Sequence, residues 1–185
     1  MIKALITTVP FAANNSIPIE LMKNANIEFT INPFDRKLSE NDLLSMVSDI
    51  DIIIAGTEPI TSRVIEKAKK LKLISRVGVG LDSVDLLTAR KNNVTVAYTP
   101  DAPAPAVAEL TIGLMLNLLR SVHISNQKMH NGNWDRIFGR RLAEVTIGII
   151  GVGRIGTRVL NRTKGFGTPR ILLNDIMPNR QLDRQ

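Results

Sequence analysis

Three glycines at a fixed spacing and a later aspartate form the clearest chemical signal in the sequence. Gly151, Gly153 and Gly156 follow a run of β-branched residues, and Asp175 ends a second apolar run about 20 residues beyond the third glycine. In this order the first glycine permits a tight turn, the second lets a phosphate approach the backbone, and the third allows a helix to pack on a strand. The pattern predicts a loop that binds the pyrophosphate of a dinucleotide at a helix N-terminus. The alternative is a turn that only packs a helix against a strand.

The residues around the glycines indicate which dinucleotide would bind. Asp175 can accept hydrogen bonds from both hydroxyls of the adenosine ribose, and its charge would repel a 2′-phosphate. The sequence therefore predicts NAD as the cofactor in preference to NADP. Arg154 and Ile155 complete the predicted cofactor-binding loop, and the positive charge of Arg154 beside the pyrophosphate suits either dinucleotide.

Residues 1–100 alternate short β-like runs with helical stretches, which is typical of a mostly parallel sheet with crossover helices. The predicted strands are Lys3–Thr8, Ile27–Ile31, Ile52–Ala55, Leu73–Arg76 and Val94–Ala97. The predicted helices are Ile17–Asn24, Ser39–Ser48, Thr61–Lys70 and Ser83–Lys91. These elements predict a flavodoxin-like unit, in which ligands bind beyond the carboxyl ends of the strands. The turns at that edge are Thr8–Pro10, Gly56–Glu58 and Val77–Gly80.

A proline-rich segment separates this unit from the glycine loop. Residues 99–105 contain three prolines and predict a stiff hinge. The predicted fold is α/β, with a flavodoxin-like parallel-sheet domain at 1–98 and the first part of a Rossmann dinucleotide-binding domain at 106–185. The elements predicted in this second part are a helix at Ala106–Val122, a strand at Val145–Ile150, a helix at Thr157–Lys164 and a strand at Arg170–Asn174.

Composition excludes several classes of protein. The chain has 185 residues, 44% of them hydrophobic, with 24 basic and 17 acidic side chains and no cysteine. We therefore expect a globular protein without disulfides, and no metal site is predicted. The first residues lack the pattern of a secretory signal and no apolar run approaches the ~20 residues of a membrane span, so we expect a cytoplasmic protein that binds no membrane. Arg154, Arg158 and Arg162 lie at helical spacing, and a solvated face is preferred to a nucleic-acid surface.

Four segments resemble the D-isomer-specific 2-hydroxyacid dehydrogenases and look closest to the D-3-phosphoglycerate dehydrogenase-like branch of that family. They are Gly56–Thr61, Leu73–Asp85, Thr99–Leu110 and Ile147–Gly156. The resemblance implies a flavodoxin-like substrate domain and a Rossmann cofactor domain, with the family's active site in the cleft between them. It implies NAD as the cofactor, a small 2-hydroxy or 2-oxo acid as the substrate, and a homodimer for the full-length form.

The resemblance also assigns roles in the first domain. The backbone N–H groups of Val79 and Gly80 would hold the substrate carboxylate, which suits amides at the carboxyl edge of a sheet, and Val79 would also lie against the nicotinamide. A simple turn between strand and helix is the alternative. Thr57 lies in the turn after the third strand. By the resemblance, phosphoglycerate-specific relatives have an arginine in this turn that meets the substrate phosphate. Thr57 is assigned to substrate binding, and the lack of that arginine argues against phosphoglycerate as the substrate.

The resemblance implies a catalytic triad of arginine, glutamate and histidine. All three residues would lie downstream of Asp175. We therefore expect an NAD-dependent dehydrogenase by family, with no catalytic residue in these 185 residues and no activity of this chain alone. His123 and His130 both precede the glycine loop and are expected to have surface or packing roles. The alternatives are a non-catalytic NAD-binding module similar to transcriptional corepressors, or the product of a decayed gene.

Overall fold

A computed structural model describes residues 1–167 and 169–177 of the chain. The chain divides into two compact units, Met1–Ala102 and Pro103–Gln185, and each is described by itself. The division falls inside the segment 99–105 that the sequence predicts as a hinge.

Residues 1–102, all of which the structure describes, form a parallel sheet with connecting helices. The strands are β1 (Ile2–Ile6), β2 (Ile27–Ile31), β3 (Ile52–Ala55), β4 (Leu73–Arg76) and β5 (Thr95–Tyr98). The helices are α1 (Ile17–Asn24), α2 (Glu40–Met46), α3 (Ser62–Lys67) and α4 (Leu86–Lys91). The strands lie in the order β2-β1-β3-β4-β5. This is the flavodoxin-like order, and the predicted fold class is confirmed.

The central strands of this sheet bury apolar side chains in its core. Ile6, Ile53 and Ile74, on β1, β3 and β4, are fully buried. The register places Leu5 beside Ile53, so neighbouring strands bury their side chains at the same level. Removing this apolar surface from water is the main contribution that holds the unit together. The carboxyl ends of the three strands therefore meet at one well-packed edge.

The start of α4 differs from the sequence-based expectation because an aspartate caps the helix. The Asp85 carboxylate accepts a hydrogen bond from the Thr88 N–H at 2.9 Å, and α4 begins at Leu86 rather than at Ser83. Val84 is still extended and forms an isolated β-bridge. Smaller shifts of one to three residues occur at the ends of β1, β5, α2 and α3.

The described residues of the second unit form a strand–helix–strand motif with two further helices. They are α5 (Ala104–Arg120), α6 (Val122–His130), β6 (Thr146–Ile150), α7 (Arg154–Thr163) and β7 (Arg170–Asn174). β6 and β7 pair in parallel, with Ile149 opposite Leu173. Ala108 of α5 and Val159 of α7 are buried in one cluster with Ile149, so both helices pack on β6.

α5 is longer at its N-terminus than the sequence pattern indicates. It begins at Ala104, inside the predicted hinge, because prolines are tolerated at the N-cap (Pro103) and in the first turn (Pro105), where an N–H has no helical partner. By length and composition, no single helix in the described part of the chain could cross a membrane, although α5 and α6 together, as a bent pair, meet that criterion.

A left-handed residue separates α5 from α6. Ser121 has a φ of +50°, and the Asn117 side-chain carbonyl accepts a hydrogen bond from the His123 N–H at 3.0 Å. The helix axis bends by 64° at this point. The prediction of one helix at Ala106–Val122 is therefore wrong at its end, and α6 is a helix that the sequence pattern does not indicate.

Candidate functional site

The glycine loop follows β6 directly and has the backbone geometry of a tight turn. Gly151 has a φ of +88°, which favours glycine over any residue with a Cβ. Its N–H donates a hydrogen bond to the Asn174 carbonyl at 2.8 Å and so continues the β6–β7 ladder beyond β6. The loop therefore leaves the sheet at its carboxyl edge, where α7 begins.

The other two glycines of the loop have different surroundings. A Cβ at Gly156 would overlap with the Gly151 carbonyl, so only glycine lets α7 pack this close to the loop. A Cβ at Gly153 would meet no atom of the described residues within 4 Å. Packing inside the chain therefore does not require glycine at position 153, and the open space beside it leaves room for a ligand.

The first turn of α7 presents free backbone donors. α7 begins at Arg154 rather than at the predicted Thr157, so Arg154 and Ile155 are helical. No side chain caps this end, and the first helical hydrogen bond runs from the Thr157 N–H to the Gly153 carbonyl at 3.0 Å. In the described structure, the N–H groups of Arg154, Ile155 and Gly156 have no acceptor. Together with the helix dipole they favour an anion at this position.

Asp175 lies beside the glycine loop. It is exposed, and its Oδ2 accepts a hydrogen bond from the Val152 N–H while Oδ1 accepts one from the Met177 N–H at 3.0 Å. These backbone hydrogen bonds, that from Met177 foremost, hold the pKa of the Asp175 carboxyl below its usual range. A carboxylate offers about four lone-pair positions, so Asp175 can accept further hydrogen bonds from outside the chain.

In the first unit, the Val77–Gly80 loop after β4 lies over a buried arginine. Arg76 is only 8% exposed, and its guanidinium donates a hydrogen bond to the Val77 carbonyl. Its Nε has no hydrogen-bond partner among the residues described. A Cβ at Gly78, whose φ is +146°, would overlap with the guanidinium, so glycine lets the loop close over this charge.

Thr99 fixes one end of the Val77–Gly80 loop and leaves the next two amides free. The Gly78 N–H donates to the Thr99 hydroxyl at 3.0 Å, and the Thr99 N–H donates to the Gly78 carbonyl at 3.0 Å. Val79 and Gly80 are exposed, and their N–H groups donate no hydrogen bond within residues 1–167 and 169–177. Two free amides above a buried positive charge form a local environment that suits a carboxylate.

The turn after β3 combines an exposed threonine with a buried glutamate. Glu58 is 2% exposed, and its Oε1 accepts hydrogen bonds from the Gly56 N–H at 2.8 Å and from the Thr7 hydroxyl. A Cβ at Gly56 would lie 2.9 Å from Glu58 Oε2. These residues line a pocket of about 140 Å³ together with Thr57 and Lys37. Thr57, the predicted substrate residue, is therefore part of a pocket wall.

Sequence reasoning does not single out Arg76, Glu58 or Thr99 as site residues. A signal exists for Arg76, because a charged residue ends a strand of the parallel sheet. Glu58 contacts Thr7 and Thr99 contacts Gly78, and no spacing rule connects either residue to these distant partners.

The remaining candidate residues lie on helices of the second unit. Arg162 donates a hydrogen bond to Glu109 Oε1 at 3.0 Å, so this arginine joins α7 to α5. The expectation of a purely solvated face is therefore not met at Arg162. His123 and His130 are exposed on α6. In the part of the chain that the structure describes, no three acidic or histidine side chains are grouped so that they could hold a metal ion.

Comparison with known proteins gives one consistent family. The family model described as D-isomer specific 2-hydroxyacid dehydrogenase, catalytic domain, matches residues 7–174. The chain is 42% identical over 145 residues to the D-3-phosphoglycerate dehydrogenase of Methanocaldococcus jannaschii, which covers 76% of this chain and 28% of that protein. It is 33% identical over 165 residues to the hydroxypyruvate reductase of Thermotoga maritima. The match covers 88% of this chain and 53% of that protein. The chain thus spans about half the length of these relatives or less.

Solved structures are similar to this chain over nearly all of its length. The TT0316 protein from Thermus thermophilus matches with a TM-score of 0.86 at 29% identity and covers 97% of this chain and 58% of its own. The NAD⁺-bound 3-phosphoglycerate dehydrogenase of Entamoeba histolytica matches with a TM-score of 0.75 at 27% identity. This match covers 97% of the present chain and 56% of that chain.

Proposed function

The chain belongs to the D-isomer specific 2-hydroxyacid dehydrogenase family, and on that premise we propose that it forms the substrate- and cofactor-binding portion of an NAD-dependent oxidoreductase. The proposed reaction interconverts the CH–OH group of a D-2-hydroxy acid and the carbonyl of a 2-oxo acid. When bound, NAD supplies the carbon that exchanges the hydride. The residues of this chain bind and orient the reactants.

The surroundings of the glycine loop carry the proposal. Gly151 and Gly156 are required by the backbone of the chain itself, whereas Gly153 is not. A glycine that packing does not require, placed directly before an uncapped helix N-terminus, supports close approach of a diphosphate. The free N–H groups of Arg154 and Ile155 would donate to its oxygens.

Asp175 supports NAD as the cofactor. Its carboxylate is exposed, lies next to the glycine loop and can accept hydrogen bonds from the two ribose hydroxyls. Its negative charge would repel a 2′-phosphate, which disfavours NADP. The residues present therefore fit the dinucleotide that the family resemblance implies.

The Val77–Gly80 loop supports binding of an organic acid. The amides of Val79 and Gly80 would donate to the substrate carboxylate, and the buried guanidinium of Arg76 would favour the same negative charge. By the family resemblance, the proton-transferring groups of such an enzyme would lie downstream of Asp175. We therefore assign substrate orientation to this chain, and no proton-transfer role to the exposed His123 and His130.

We also propose a homodimer for the full-length form. Exposed apolar side chains recur at helical spacing along α5, at Val107, Leu110, Leu114 and Leu118. Trp134, further along the second unit, is 84% exposed. An apolar stripe of this kind is typical of a protein–protein interface, and the family resemblance supports a second copy as the partner.

Gly153→Ala tests the dinucleotide assignment. The added methyl group meets no described atom, so thermal unfolding should not change. NADH binding measured by calorimetry should weaken by about tenfold or more, because the methyl group enters the space of the diphosphate and breaks at least one charge-assisted hydrogen bond. Gly148→Ala on β6 is the matched control, since its Cβ also meets no described atom within 4 Å. Equal NADH affinity of the parent and Gly153→Ala would refute the assignment.

A further inference from the structure

The sequence contains a single asparagine that is followed directly by a glycine, at Asn131 and Gly132. The pair lies at the end of α6, where Asn131 is the C-cap residue and Gly132 has a φ of +77°. Both residues are exposed, and a Cβ at Gly132 would meet no described atom within 4 Å. Because glycine has no side chain, its backbone nitrogen is accessible to the side-chain carbonyl of the preceding asparagine.

The Asn131 side chain is not held by the described part of the fold. Its amide makes no hydrogen bond within residues 1–167 and 169–177. The side-chain amides of Asn32 and Asn92, by contrast, donate hydrogen bonds to backbone carbonyls at 3.0 and 2.9 Å. Asn131 can therefore turn toward Gly132 without losing a contact.

One backbone hydrogen bond restrains the nitrogen of Gly132. Its N–H donates to the Met129 carbonyl at 3.0 Å and so closes the last turn of α6. Helix ends open more readily than helix interiors. α6 has no buried side chain, so little packing holds this turn in place. The nitrogen thus becomes available whenever the last turn opens.

We propose that Asn131 is a site of spontaneous deamidation. The Gly132 backbone nitrogen forms a bond to the side-chain carbonyl carbon of Asn131, and the side-chain NH₂ leaves as ammonia with the proton of that nitrogen. Water then opens the resulting cyclic imide at either of its carbonyl carbons and produces aspartate or isoaspartate. Water is the only co-reactant. The overall change replaces a neutral amide by a carboxylate and so adds one negative charge.

The new charge arises beside an ion pair that holds the following loop, residues 133–137, to α6. Lys128 Nζ pairs with Asp135 Oδ2 at 2.6 Å, and the Lys128 carbonyl accepts a hydrogen bond from the Asn133 N–H at 2.9 Å. A carboxylate at position 131 lies one helical turn from Lys128 and competes with Asp135 for its ammonium. A negative charge is also unfavourable at a helix C-terminus. Deamidation therefore loosens the 133–137 loop.

Peptide mass spectrometry tests the site. The 185-residue chain is incubated in mildly alkaline buffer, and conversion of amide to acid is followed over time at Asn131 and Asn133. Asn133 is the internal control, because it is exposed in the same segment but precedes Trp134, whose side chain hinders the attack. Asn131 should convert about tenfold faster, which corresponds to ~1.4 kcal/mol in the activation free energy. Asn131→Gln should remove the conversion at this position, since its longer side chain would have to close a larger ring.

Amide hydrogen exchange tests the effect on the loop. The Asn133 N–H donates to the Lys128 carbonyl, so its exchange rate reports directly on the contact between the loop and α6. Asn131→Asp introduces the charge at once and should speed exchange at Asn133 severalfold. Asn126→Asp is the matched control, because it adds the same charge at an exposed position of α6 that does not face Lys128.

The outcomes separate the site from its effect. Conversion at Asn131 that is no faster than at Asn133 would overturn the deamidation site. Equal exchange at Asn133 in Asn131→Asp and in the parent would overturn the loosening of the loop, while the site itself stands. Neither measurement involves a dinucleotide or an organic acid, so the proposed function is tested independently.

Discussion

The Asp175 carboxylate accepts a hydrogen bond from the backbone N–H of Val152, so the end of β7 is joined to the middle of the glycine loop. The residue proposed to bind the ribose thus also orders the loop proposed to bind the pyrophosphate. Loss of this side chain should affect both parts of the dinucleotide.

Asp175→Ala should weaken NADH binding and reduce the preference of the chain for NADH over NADPH. The substitution removes the hydrogen bond to Val152, the acceptor for the ribose and the charge that repels a 2′-phosphate. Calorimetric titration with both cofactors measures the change. Asp135→Ala is the control, because Asp135 is an exposed acid that pairs with Lys128. Equal or tighter NADPH binding by the parent chain would remove the ribose assignment.

The pKa of Asp175 gives a pH dependence with a definite sign. Because the pKa in the folded chain lies below the ordinary value of 3.8, the carboxylate stabilises the folded loop above that pH. This stabilisation is lost as the pH falls through the folded-state pKa. We expect the amide signals of Met177 and Val152 to titrate below pH 3.8, and Asp175→Asn to abolish the titration. A midpoint above 3.8 would contradict the structure.

We expect no measurable dehydrogenase turnover from the 185-residue chain with 2-oxo acids and NADH. Under the proposed function its groups would orient the reactants and supply no proton at the carbonyl oxygen, and general acid–base catalysis typically contributes ~10²–10⁴-fold. The loss of NADH absorbance over time measures the rate. The hydroxypyruvate reductase of Thermotoga maritima serves as the positive control. Turnover at a rate typical of enzymes would show that proton transfer is carried by this chain.

Gly156→Ala should destabilise the second unit, in contrast to Gly153→Ala. Its Cβ would overlap with the Gly151 carbonyl, which is backbone and cannot rotate away. Overpacking of this kind costs about 1–3 kcal/mol in the free energy of unfolding. Urea unfolding followed by circular dichroism measures the loss, with Gly148→Ala as the control. A Gly156→Ala variant as stable as its parent would show that α7 does not need this close approach.

Leu114→Lys should weaken self-association through α5. Leu114 is 51% exposed in the middle of the apolar stripe, and a charge there would have to be desolvated in an interface. Sedimentation velocity over a concentration series of the 185-residue chain measures the effect. Leu21→Lys, at a 63% exposed position on α1, is the matched control. If Leu114→Lys and the parent associate equally, the dimer does not use this stripe.

Much of the fold follows from the sequence because apolar runs decide which segments are buried. β7 has the bounds that its apolar run predicts, and β2, β3 and β4 do as well. Helix ends are less predictable, since single side chains set them. The Asp85 cap delays α4, and the left-handed Ser121 ends α5 two residues before the predicted Val122.

In the candidate site, too, features set by residues close in sequence are predictable, whereas contacts between residues distant in sequence are not. Spacing along the chain identifies the glycine loop, because the nearby backbone requires glycine at positions 151 and 156. The partners of the other loops are remote in sequence. Thr99 lies 21 residues from Gly78, and Glu58 lies 51 residues from Thr7. Only the folded sheet brings these pairs together.

The close approach of Gly56 to Glu58 has an evolutionary consequence. A Cβ at position 56 would lie 2.9 Å from Glu58 Oε2 and 3.1 Å from the Thr8 side chain, so a larger residue there requires the Glu58 carboxylate to shift. A homologous sequence that gains a side chain at position 56 is therefore expected to hold the side chain at position 58 in a different place. The two positions should covary across an alignment, and a change of substrate in this lineage would leave its trace as a paired replacement.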